Sequence, residues 1–171
     1  PRKPARFIVL GSASPALLKQ SSETLAGRIM YHELRGFAID EVGMGNAEQL
    51  WLRGGFPRSF LAPSIKASYD WRRGFIKTFV ERDLPQLGIN IQANTLYRFW
   101  SMVAHYHAQI WSYSEFARSF GVADTTVRNY LDILTSTFVL RQLLPWHENI
   151  SKRQVKAPKV YVADTGLLHT L

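Results

Sequence analysis

No cysteine occurs among the 171 residues, which excludes a disulfide framework and thiolate chemistry and suits a reducing cytoplasm. Nor does any apolar run approach the roughly 18 residues that a bilayer crossing requires, and the opening PRKPARFIVLGSAS lacks the long apolar core of a signal peptide. There is no phosphate-cradling G-x-x-x-x-G-K-S/T loop and no G-x-S-x-G elbow with a placed histidine. Asp70, Glu81 and Asp83 form no evident acid/base pair. Gly43 and Gly45 make a G-x-G with neither a third glycine nor a preceding strand, so dinucleotide binding is not expected. Acidic residues are the scarcer charge, 13 against 21 lysines and arginines for a formal +8. That balance favours a polyanionic partner such as nucleic acid.

The most legible stretch is 112–145, SYSEFARSFGVADTTVRNYLDILTSTFVLRQLLP. Phe116, Ala117 and Phe120 share one helical face, and Val127, Tyr130, Leu131 and Leu134 share another, which predicts two short helices. Gly121-Val122-Ala123 is the turn between them, with Gly121 closing the first helix in a left-handed conformation. Ser114 is the expected cap of the first helix and Asp124 of the second. The spacing of Ala117, Gly121 and Val127 resembles a helix-turn-helix. Beyond it, 138–144 and 160–162 are rich in strand formers and flank a basic loop with His147, Lys152, Arg153 and Lys156, which predicts a hairpin. Helix pair and hairpin together predict a winged helix.

Further upstream, residues 6–10 read as a buried strand emptying into Gly11-Ser12-Ala13-Ser14, and 28–34 as a second strand. A lone strand four residues from the first position suggests a domain entered partway through. Residues 46–53 read as a helix capped by Asn46 and stopped by Gly54-Gly55. Residues 64–84 read as an amphipathic helix with Ile65, Tyr69, Phe75, Ile76, Phe79 and Val80 on the apolar face, and with Lys66–Asp70 and Lys77–Glu81 spaced as exposed pairs. The mixture of Tyr69, Trp71, Arg72 and Arg73 fits nucleic-acid contact or, more simply, a helix with one side in core and one in water. A helix over 93–111 turns Leu96, Phe99, Trp100, Val103, Ala104 and His107 inward. His105 and His107, two apart, point in nearly opposite directions, so no metal site is expected.

The order of a strand, GSAS, a short helix, SETLAGRI, a strand, GFAIDEV and LWLRGGFP, followed by FVERDL and KAPKVYVADTGLL, resembles a bacterial and archaeal AAA+-like P-loop ATPase family. Its members carry a winged helix after the ATPase core and usually a nuclease-like domain after that. The resemblance runs across nearly the whole chain. It implies an α/β plus mainly α fold: the tail of a P-loop AAA+-type α/β core in 1–42, a helical connector in 43–92, a winged helix-turn-helix in 93–164 and the start of a further region in 165–171. It also implies that Ser12 lies beside the γ-phosphate and that Arg28, in the LAGR segment, reaches a phosphate in the same or a neighbouring subunit. From the residues alone, GSAS fits equally a polar loop in which Ser12 caps the next helix, and Arg28 a surface ion pair.

Without the phosphate loop or an acidic magnesium ligand, this chain is expected not to hydrolyse ATP by itself. ATP and Mg belong to the intact parent protein, and the expected partners are DNA and a second copy of the chain, with no membrane. In the DNA reading, Thr125, Thr126, Arg128 and Asn129 approach base edges, while Lys152, Arg153 and Lys156 neutralise phosphates. In a competing reading the winged helix docks on the ATPase core and senses nucleotide state, favoured by the acids Asp124 and Asp132 around the reading helix. A reading from another class is a free-standing winged-helix transcriptional regulator.

Overall fold

The computed structural model describes residues 30, 32–146 and 157–171. It is mostly helical, with one two-stranded antiparallel sheet among the described residues. The first expected strand, Ser12 and Arg28 lie outside the described residues. Of the second, residues 30 and 32–34 carry no regular structure, and Met30 and Leu34 are 78% and 95% exposed. A strand forms only where a neighbour takes up its backbone donors and acceptors. These residues have no such neighbour among those described, and Arg35 folds back onto Glu33 at 2.9 Å instead.

Helix α1 (Ile39–Val42) and a 3-10 turn (Met44–Asn46) lead into α2 (Ala47–Arg53) and α3 (Pro57–Phe60). Gly54 ends α2 as expected, at φ +75°, where only glycine is unstrained. Asn46 stands at the start of α2 but does not cap it. The 3-10 turn brings the end of α1 within reach, and the Asn46 amide donates to the Val42 carbonyl at 2.8 Å.

Helix α4 (Ile65–Thr78) is capped by Ser64, whose hydroxyl accepts from Ala67 N–H at 3.0 Å. It runs on through a π turn (Phe79–Asp83) into α5 (Leu84–Gln86). Two expectations about this helix change. Ile76, Phe79 and Val80 are buried as expected, but Ile65 and Tyr69 are exposed, and Ser68 and Arg72 take the buried turn between them. They do so because polar partners wait beneath: the Ser59 hydroxyl for Ser68 and the Leu52 carbonyl for Arg72. Lys66 pairs with Asp70 at 2.5 Å, whereas Lys77 and Glu81 do not pair. The wider π turn that starts at Phe79 carries Glu81 off the i,i+4 row.

Helix α6 (Ala93–His105) stops short of Trp111 because the next backbone groups are taken by a strand. Ala108, at φ +65°, leaves the helix; its N–H donates to Val160 O and that of Trp111 to Pro158 O, both at 2.8 Å. Then follow α7 (Tyr113–Phe120), α8 (Asp124–Ser136), β1 (Leu140–Leu143), β2 (Lys159–Val162) and α9 (Thr165–Leu168). The expected hairpin forms in the register Leu140↔Val162, Leu143↔Lys159. Gly121 is left-handed as expected, at φ +63° and ψ +37°. Both caps differ: Ser112, not Ser114, accepts from Glu115 N–H, and Ala123 holds the cap position of α8. Asp124 is the first helical residue, where its charge still meets the positive end of the helix dipole.

One buried cluster runs from Ile76 to Leu167. At its centre Phe99 meets the rings of Trp111, Phe116, Phe120 and Tyr130 with centroids 5.4 to 6.2 Å apart. Burying a side chain of this size contributes roughly 1.5 to 3 kcal/mol, so α6 serves as the common floor for α7, α8 and the hairpin. No helix among the described residues is long and apolar enough to cross a membrane.

Candidate nucleic-acid interface

Helix α8 sorts its residues cleanly. Val127, Leu131 and Leu134 are fully buried, which turns Thr125, Arg128, Asn129 and Asp132 to the solvent side and leaves Thr126 half-buried at the edge. The helix begins where it does because Gly121 reverses the chain and Val127 fills the crossing with α7.

The outward face is braced. The Arg128 guanidinium lies 4.2 Å over the Tyr113 ring, its Nη1 3.5 Å from the phenol oxygen. Burial raises the Tyr113 pKa, against the opposing pull of Arg128. Gln142 of β1 donates to Thr135 at 3.1 Å and to Asp132 at 3.5 Å, tying the hairpin to the helix. Thr125, Arg128 and Asn129 are therefore together on one open face. Lys152, Arg153 and Lys156, expected in the wing, lie outside the described residues. The helix itself carries the acids Asp124 and Asp132 against the single base Arg128.

His107 serves the fold. Its Nδ1 accepts from Val162 N–H at 3.1 Å, which fixes the ring as the Nε2–H tautomer, and burial lowers its pKa. His105 is exposed on the other side of α6. Among the described residues no three histidine, aspartate or glutamate side chains cluster as metal ligands.

A second polar constellation was not foreseen. The Asp164 carboxylate accepts from Gly55 N–H at 2.7 Å and from Leu167 N–H at 2.9 Å, capping α9 while gripping the turn after α2. Burial raises its pKa against the opposing pull of those donors and of Arg72. Arg72, 3% exposed, donates to Leu52 O at 2.5 Å. Thr165 donates to Leu50 O at 3.1 Å and Ser59 to Arg53 O at 2.6 Å. Three carbonyls at the end of α2 thus receive side-chain donors from α9, α4 and α3: those of Leu52 and Arg53, which the helix leaves free, and that of Leu50, which also accepts from Gly54 N–H at 2.8 Å. The approach is close enough that a Cβ on Gly54 would overlap the Asp164 carboxylate, and one on Gly166 the Arg53 carbonyl. The available signal was the pair of motifs LWLRGGFP and VADTGLL, whose glycines allow the two backbones to touch.

The family described as Domain of unknown function (DUF8612) matches residues 44–171. Uncharacterized protein Rv2008c of Mycobacterium tuberculosis and Uncharacterized protein Mb2031c of Mycobacterium bovis are each 56% identical over 171 residues, 100% of this chain and 39% of the relative. The chain thus spans well under half the length of these curated relatives. No solved structure matches.

Proposed function

The chain belongs to the DUF8612 family, and on that premise we propose that it is the winged-helix part of an AAA+-like P-loop ATPase, cytoplasmic, and that the winged helix binds DNA through α8. The observation that supports this is the α7–Gly121–α8 pair followed directly by the β1–β2 hairpin, with Thr125, Arg128 and Asn129 on its open side. A helix so presented enters the major groove, where an arginine or asparagine reads base edges. Lys152, Arg153 and Lys156 add phosphate contacts that carry affinity but no sequence information.

The ATPase half of the proposal concerns the intact protein. Ser12 and Arg28 are its contributions from this chain, and no step of ATP or Mg²⁺ chemistry is assigned to the described residues, which hold no metal-ligand cluster. ATP hydrolysis by the full-length M. tuberculosis relative is the expected result; a folded, inactive protein removes this half.

The DNA half is tested by titrating a labelled duplex at several salt concentrations. Replacing Arg153 and Lys156 by alanine lowers affinity and reduces the log–log salt slope by about one for each phosphate no longer neutralised. Arg128→Ala narrows the preference between sequences by about 1 to 3 kcal/mol. A docking role in place of DNA reading is favoured by the acids Asp124 and Asp132, which leave α8 without a positive field. Absence of duplex binding even at low salt removes the DNA reading and leaves the docking role as the leading one.

A further inference from the structure

Helix α4 is positive where α8 is not: its 14 residues hold Lys66, Arg72, Arg73 and Lys77 against the single acid Asp70. Arg72 is buried, and Lys66 is neutralised by Asp70. Arg73 and Lys77 remain, both exposed, one helical turn apart, and neither has an acidic partner among the described residues. Like charges at i,i+4 cost an isolated helix a few tenths of a kcal/mol, so this arrangement is unfavourable for the helix alone. Glu81, the natural partner for Lys77, is carried away by the π turn.

One turn before Arg73 stands Tyr69, 40% exposed, with the Arg73 and Arg72 guanidiniums each 5.9 Å from the ring centre. Tyr69, Arg73 and Lys77 therefore form a row at i, i+4 and i+8, about 12 Å long at the rise of an α-helix. An aromatic face continued by uncompensated cations is the combination that holds an unpaired strand, the ring taking a base and the cations the phosphates.

We propose that the α4 row of Tyr69, Arg73 and Lys77 binds single-stranded nucleic acid. The proposal stands apart from the DNA reading of α8, with which it shares no residue.

The test is fluorescence anisotropy of the chain with a labelled oligothymidylate of about 20 nucleotides, long enough to cover the row with either polarity, at NaCl from about 50 to 200 mM. Arg73→Glu with Lys77→Glu is expected to weaken binding at least tenfold and to lower the salt slope by about 1.4, at about 0.7 per phosphate on a single strand. Arg73→Lys with Lys77→Arg retains binding, which shows that charge and not folding is lost. Tyr69→Ala weakens binding about tenfold with the slope unchanged, and Tyr69→Phe restores it. Arg128→Ala leaves oligothymidylate binding intact. The proposal is overturned if the double glutamate variant, shown to be folded by circular dichroism, binds as the wild type does, or if Arg128→Ala alone abolishes binding. A duplex that competes as well as the single strand also overturns it.

Discussion

Asp164→Ala offers the sharpest test of how the two ends of the described chain are held. The substitution removes the acceptor of Gly55 N–H and Leu167 N–H and leaves Arg72, 3% exposed, without the negative charge it faces. Losing the cap of α9 costs about 1 kcal/mol. Stranding the buried Gly55 donor costs about 1 to 3 more. Relief of carboxylate desolvation offsets part of this, and a net loss of about 2 kcal/mol is expected. For a protein of this size that corresponds to a fall in Tm of about 4 to 8 °C. Urea unfolding followed by tryptophan fluorescence measures it, since Trp100 and Trp111 are buried in the shared core. A loss under about 1 kcal/mol would refute the clamp. The pH dependence is a second check. Because burial raises the folded pKa of Asp164 above its unfolded value, its contribution is fully present below the unfolded value near about 3.9 and declines as pH rises through the folded one. The advantage of wild type over Asp164→Asn therefore shrinks from acid toward neutral pH.

Other consequences are as direct. His107, with its lowered pKa and accepting Nδ1, contributes stability above its unfolded value of about 6.5 that is lost as pH falls through the folded one. In His107→Gln that acid-side slope disappears while an acceptor remains, which denaturant midpoints across pH will read. Gly121→Ala and Gly166→Ala separate two uses of glycine. The first meets open space and costs only the left-handed strain, about 1 kcal/mol, while the second drives a methyl into the Arg53 carbonyl and costs at least twice as much by thermal unfolding.

The helix pair and hairpin were legible because their signals are local: a left-handed glycine at 121, helical apolar spacing on either side, and two strand-forming runs. The caps slipped because a serine two residues from another offers the same hydroxyl, and only the chain's approach direction decides between Ser112 and Ser114. The burial of Arg72 was not legible for a deeper reason. Amphipathic spacing says which side of α4 is buried, but not that Leu52 O lies under that side, twenty positions earlier, or that Asp164 lies near it, ninety-two later. The Asp164 cluster was invisible as a unit, since its halves are separated by the whole helix-pair region. The exposed face of α8 could be read residue by residue, but the bracing of Arg128 on Tyr113 depends on the crossing of two helices.

The bond from Gly55 to Asp164 spans 109 positions, and that from Leu50 to Thr165 spans 115. On the ribosome, α2 emerges long before its clamp exists, and the helix pair and hairpin are both made in the interval. Those middle elements can pack on α6 over shorter stretches of chain, and Ser59 and Arg72 reach the Arg53 and Leu52 carbonyls early, while Gly55 N–H at the end of α2 lacks its acceptor until Asp164 arrives. Synthesis thus imposes an order, centre first and seam last. A ribosome stalled just before Asp164 would display a chain whose α2 end is still open to proteases and chaperones.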